Sequence, residues 1–183
     1  FNGRQSMNQP VVEVTSVTFY NATVPIVEAT LTVTTEVGSD VTLTDGSEIT
    51  RKTAVNTTVV FPVYNVGTAV VVASKNGVNS NTQGVTFSTN GEKKTAQLTF
   101  IKLTVKGVEN ESVVISKDSY VYTKVLGSNK QEVVYLPEVG MWSVVGTYIK
   151  NEQSVTKTKV ANITGYGDYS VSVSGVVYAV YVD

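Results

Sequence analysis

The chain repeats itself. Leu31-Thr32-Val33 recurs as Leu103-Thr104-Val105 at a shift of 72 residues, and Val41-Thr42-Leu43 falls against Val113-Val114-Ile115 at the same shift. Val66-Gly67 then matches Val139-Gly140 at 73, Lys75-Asn76 matches Lys150-Asn151 at 75, and Ala96-Gln97-Leu98 matches Tyr169-Ser170-Val171 at 73. A period of this length means that one folding unit is used twice, and slips of one to three residues belong in turns, where insertion is tolerated. The repeat predicts modules over residues 29–100 and 101–174, a strand-forming extension over 1–28 and a terminal strand over 175–183.

Inside each copy apolar and polar residues alternate, the period of a strand with one buried face. In the first copy the apolar sets are Ala29, Leu31 and Val33; Val41 and Leu43; Val59, Phe61 and Val63; Val70 and Val72; Val85 and Phe87; and Ala96, Leu98 and Phe100. The second copy offers Leu103 and Val105, Val113 and Ile115, Tyr120 and Tyr122, Val133 and Tyr135, Trp142 and Val144, Val155 to Val160, and Tyr169 to Val173. Asp45-Gly46, Asn76-Gly77 and Asn90-Gly91 supply turns in which a positive φ costs least. Six or seven short strands per copy predict an all-β chain of two tandem β-sandwiches. Between Phe100 and Ile101 the alternation loses phase with no Gly, Pro or Ser run, so one module is expected to pass straight into the next as a stiff rod. Trp142, the single tryptophan, is expected to anchor the second core, with a sugar-binding platform as the sharper reading; Ala69 stands in its place in the first copy.

Chemistry is scarce. Histidine and cysteine are absent, which removes the most easily tuned acid-base and nucleophilic groups along with thiolate metal ligands. The pairs Glu109 with Glu111 and Asp45 with Glu48 fall in expected turns, where hydration leaves carboxylates ordinary. Asp40, Asp45 and Glu48 are the nearest approach to a calcium site, but their spacing does not match a calcium-binding loop. Phosphate-cradling and nucleophile-elbow motifs are missing, and Gly165-Tyr166-Gly167 reads as a turn before the last strand. No cofactor, metal or catalytic residue is assigned, and the chain is read as non-enzymatic. With 14 basic and 15 acidic residues scattered along it, nothing gathers nucleic acid; no apolar run of membrane-spanning length predicts insertion. The opening Phe1-Asn2-Gly3-Arg4 suggests a processed form or a piece of something longer. The sequons at Asn21, Asn56, Asn110 and Asn162 matter only in a glycosylating setting, and Tyr64, Tyr148 and Tyr166 are candidate contact residues.

The run LPEVGMWSVVGTYIKNEQSVTKTKV followed by GYGDYSVSVS, with its partner VGSDVTLTDG through VYNVGTAVVVASKNG, resembles the short immunoglobulin-like modules appended to bacteriophage virion proteins. In departure from that pattern, Ala69 replaces Trp and Lys117-Asp118 replaces an Asp-Gly turn. The resemblance implies immunoglobulin-like folds and a non-catalytic role as a virion decoration, fibre or tail component. Two alternatives stand beside it: an extracellular adhesin or pilus-type fibre subunit assembled by terminal strand exchange, and a carbohydrate-binding accessory module. Protein partners in an assembly, a homo-oligomer first, are expected; a cell-surface glycan is a second candidate partner.

The terminal segment bears most on assembly. Val176, Val177, Tyr178, Ala179, Val180, Tyr181 and Val182 occupy the place where a third copy would begin, and they are apolar on both faces. Such a strand invites pairing with another chain, and Val11 to Tyr20 is similarly strand-forming.

Overall fold

The computed structural model describes residues 26–174, within which regular structure consists of strands alone. The first eight are β1 (Ile26–Thr34), β2 (Asp40–Asp45), β3 (Glu48–Thr53), β4 (Thr58–Asn65), β5 (Gly67–Lys75), β6 (Val78–Asn79), β7 (Gln83–Phe87) and β8 (Lys93–Gln97). Seven more follow: β9 (Ile101–Lys106), β10 (Ser112–Lys117), β11 (Tyr120–Val125), β12 (Gln131–Leu136), β13 (Gly140–Lys150), β14 (Gln153–Ile163) and β15 (Gly167–Ser172). β1 begins three residues inside the stretch read as an extension.

The sequence repeat is a repeat of topology. One three-stranded sheet has the order β4-β1-β8 and its counterpart β12-β9-β15; the larger sheets run β3-β2-β5, with β6 and β7 on β5, and β11-β10-β13-β14. The equivalent strands β5 and β13 both open on a glycine of strongly positive φ, +130° at Gly67 and +126° at Gly140. Each pair of sheets encloses its own core. Leu31, Val33, Leu43, Phe61, Val71, Phe87 and Phe100 fill the first, while Leu103, Ile115, Leu126, Leu136, Trp142, Val144 and Ile163 fill the second. Three phenylalanines thus occupy the volume that a tryptophan and branched aliphatics occupy in the other copy, where Ala69 could not.

Local pattern misassigned some faces. Val70 is exposed and Val72 half-buried, whereas Ala69, Val71 and Ala73 point inward; Val133 is exposed, whereas Val134 and Leu136 are buried. Val70-Val71-Val72 and Val133-Val134 are apolar on both faces, so alternation gives no phase there, and pairing decides it: Val71 faces Leu43 and Val134 faces Leu103 across their ladders. The inward residues of β14 are Ala161 and Ile163, and Val160 is exposed. β3 carries no buried residue, which is why its hydrophobic pattern was silent.

Candidate functional site

The two cores meet with three residues, Leu98-Thr99-Phe100, between the end of β8 and the start of β9. Phe100 and Ile101, consecutive and both buried, belong to different cores, as the phase change at this point requires. The Leu98 N–H donates to Thr34 O at 2.8 Å, and the Gly167 N–H donates to Phe100 O at 3.0 Å, so both flanks of the crossing are held by backbone. The Phe100 and Tyr135 rings meet edge to face at 5.5 Å.

A charge cluster locks this crossing. Glu36, in the loop after β1, accepts from Lys102 of β9 at 2.7 Å, from Lys75 of β5 at 3.2 Å and from the Tyr135 hydroxyl of β12. Lys102 also reaches Asp168 of β15 at 2.9 Å. Burial alone would raise the Glu36 carboxyl, but the donors Lys102, Tyr135 and Lys75 outweigh it and hold the group below its ordinary value. Glu36 and Asp168 in turn push the Lys102 ammonium upward, and burial together with Glu36 raises the Tyr135 phenol. An open groove of about 240 Å³ runs alongside, bordered by Thr35, Glu36, Phe100, Lys102 and Asp168. None of these charges was singled out in the sequence, because each is a lone charge far from its partners; Glu36 and Tyr135 are 99 positions apart.

Residues singled out earlier find other places. Trp142 is wholly buried, its indole N–H donating to Glu138 O at 3.2 Å, so it is a core residue and not a platform. Asp45 is nearly buried and accepts the Tyr64 and Asn65 N–H groups at 2.9 and 3.3 Å, which ties the β2–β3 hairpin to β4. Asp40 is engaged with Thr53 at the opposite end of β2, and Glu48 is exposed. Among the described residues no group of three acidic, histidine or cysteine side chains could hold a metal ion. Glu109 is exposed, but Glu111 is not the hydrated residue expected of a turn: it is 0% exposed. One of its carboxyl oxygens accepts from Val108 N–H at 2.8 Å, the other has no protein partner, and a Cβ added at Gly107 or Gly146 would collide with the group. Its chain position is a turn; its side chain points into the second core.

Tyr64 and Tyr166 are exposed on different elements, and Tyr148 is half-buried. Asn56, Asn110 and Asn162 are exposed, whereas Asn21 lies outside the described residues, as do Val11 to Tyr20 and Val176 to Val182. Gly165-Tyr166-Gly167 does lead into β15. The Tyr169 hydroxyl bends back onto that turn, accepting from Gly165 N–H at 3.0 Å and donating to Gly165 O at 3.1 Å. These bonds pin the start of β15 to the turn that precedes it.

The outer face of the sheet β11-β10-β13-β14 has a composition of its own. Its pairings set Val121, Ser116, Ser143 and Val160 in one row across the sheet, and Thr123, Val114, Val145 and Thr158 in the next. A third row is Val125, Ser112, Thr147 and Thr156; Met141 faces Asn162 at one end and Ile149 faces Ser154 at the other. No charged residue stands on this face. Met141 and Ile149 are each 70% exposed, and Val121, Val125 and Val160 are all above 60%. The corresponding face of β3-β2-β5 carries Asp40 and Arg51, and that of β12-β9-β15 carries Lys102, Lys106 and Asp168.

Fold and site together define an all-β protein of two β-sandwiches joined through a charged, linkerless crossing. No family model matches the sequence, and no curated protein matches it. Among solved structures it is similar to the Bacillus anthracis TIE protein, at 15% identity and a TM-score of 0.31, over 81% of this chain and 34% of that one. It is also similar to a Ca2+-stabilized adhesin that helps an Antarctic bacterium bind ice (16%, TM-score 0.28, 75% of this chain and 41% of that). A third is a Streptococcal ancillary pilin (10%, TM-score 0.28, 84% and 63%). The chain therefore spans about a third to under two thirds of the length of these proteins, and superpositions this loose transfer neither ligand nor assembly.

Proposed function

We propose that this chain is a non-catalytic, tension-bearing segment of an extracellular or cell-surface fibre of adhesin or pilus type. The observation that supports it is how the ends of each sandwich are tied. The first and last strands of each, β1 with β8 and β9 with β15, are parallel neighbours, in registers running from Thr30 opposite Lys93 to Thr34 opposite Gln97 and from Ile101 opposite Gly167 to Lys106 opposite Ser172. Chain entering at the start of the first strand and leaving at the end of the last pulls a parallel pair lengthwise. All of its ladder hydrogen bonds are then loaded at once, whereas pulling a hairpin open breaks them one by one. The backbone of Leu98-Thr99-Phe100 carries the load from one sandwich to the next, with the Glu36 cluster bracing the crossing.

Stretching the full chain between marker domains in a force spectrometer tests this reading. Two separate high-force events are expected, each releasing roughly 250 Å of chain as some seventy residues extend. Release at forces typical of hairpin opening would overturn it. A virion fibre or decoration protein makes the same mechanical demand and is the second reading, favoured by the module-like runs around Trp142. Antibody labelling of intact cells and of purified virions separates the two.

A further inference from the structure

We propose that the uncharged outer face of the sheet β11-β10-β13-β14 docks on the same face of a second copy of this chain. Three observations carry the inference, none of which depends on the mechanical reading. The first is charge. Around a two-fold axis every residue near the axis meets its own copy, so a face with fixed charges of one sign repels itself. This face holds only Val, Met, Ile, Ser, Thr and Asn, and so meets itself without repulsion or desolvated charge.

The second is area. With strands about 4.8 Å apart, β13 and β14 cover about 26 Å over the eight steps from Met141 to Ile149 and the six-residue β10 and β11 about 17 Å each, which gives roughly 400 Å² per copy. A pair then buries roughly 800 Å², below the roughly 1,000 Å² of a specific stable interface and in keeping with a weak, reversible dimer. Five side chains more than 60% exposed, Met141, Ile149, Val121, Val125 and Val160, gain most from coverage.

The third is that the edges of this sheet are guarded while its face is not. β11 carries Lys124, and β14 carries Lys157 and Lys159 in the opposite phase to the uncharged rows. Lysine on an edge strand opposes strand addition, which leaves stacking as the open route. The hydroxyls of Ser143 and Thr158 remain able to pair across such an interface or to hold bridging water, while those of Thr147 and Thr156 pair with each other at 3.2 Å.

Sedimentation velocity of the full chain over a concentration series tests the proposal. Reversible dimerisation is expected at roughly tens to hundreds of micromolar. Val145 lies in the middle row of the face, so Val145→Lys and Val145→Glu should each abolish self-association. Mixing the two variants should restore it, as unlike charges then face each other. Thermal melts confirm that both variants fold, and Thr147→Lys with Thr147→Glu gives the same test should either fail. A wild type that stays monomeric throughout overturns the proposal, including the case in which a glycan or a different protein covers the face. Self-association that survives both substitutions, or that disappears on deletion of residues 175–183 alone, overturns it in favour of another surface.

Discussion

At the scale of single residues, the two copies solve the same local problem with different side chains. The β5–β6 turn is Asn76-Gly77, with φ of +52° and +76°; the equivalent β13–β14 turn is Asn151-Glu152, with +50° and +62°. A left-handed glutamate costs about 1 kcal/mol that a glycine does not. Glu152→Gly should therefore raise the stability of the second sandwich by about 0.5–1 kcal/mol, read from chemical denaturation. Glu111 is the opposite case, a carboxyl buried with one oxygen unpartnered. Glu111→Gln should leave stability unchanged or raise it by about 1 kcal/mol, since the shape is kept and a carbonyl oxygen still accepts from the Val108 N–H. Gly146→Ala should lower it by about 1–3 kcal/mol, because the new methyl lands on the Glu111 carboxyl and on Val173.

At the scale of elements, the crossing between β8 and β9 is the place where pH should act. The Glu36 carboxyl is held below its ordinary value of 4.5, so its contribution is fully present above that value and is lost as pH falls through the lower folded value. Glu36→Gln should cost about 1–2 kcal/mol at neutral pH and progressively less below pH about 4.5, seen as convergence of the wild-type and variant melting temperatures. Tyr135→Phe keeps the edge-to-face contact with Phe100 and removes one donor, and should cost about 1 kcal/mol. Of the other edge strands, β4 carries Pro62 and β8 carries Lys93 and Lys94, residues that discourage strand addition.

At the scale of the whole molecule, two cores that share no buried residue predict two cooperative units coupled only at the crossing. A fragment spanning residues 98–174 should give dispersed amide signals and a cooperative melt, at lower stability than in the full chain because Lys102 and Tyr135 lose Glu36 and Lys75. A fragment with collapsed, undispersed signals would mean that the cores depend on each other.

By itself the sequence determined the number of folding units, the strand character of each and most turns. Alternation, repeat shift and Asn-Gly pairs are local facts, and a strand with one apolar face can be buried in only one way. It also placed the change of buried face at Phe100 and Ile101, because a lost phase is visible in consecutive residues. The tertiary structure alone decided what lay outside local reach. The inward phase of Val71 and Val134 depended on their ladder partners, since flanking valines offered both faces. The burial of Glu111 depended on two glycines, Gly107 and Gly146, the second lying 35 positions away, that leave room for its carboxyl. The Glu36 cluster joined side chains from five elements, and the uncharged face emerged only when four strands were laid in register. Each is a relation between distant residues, and distance along the chain carries no information about it until the sheets are assembled.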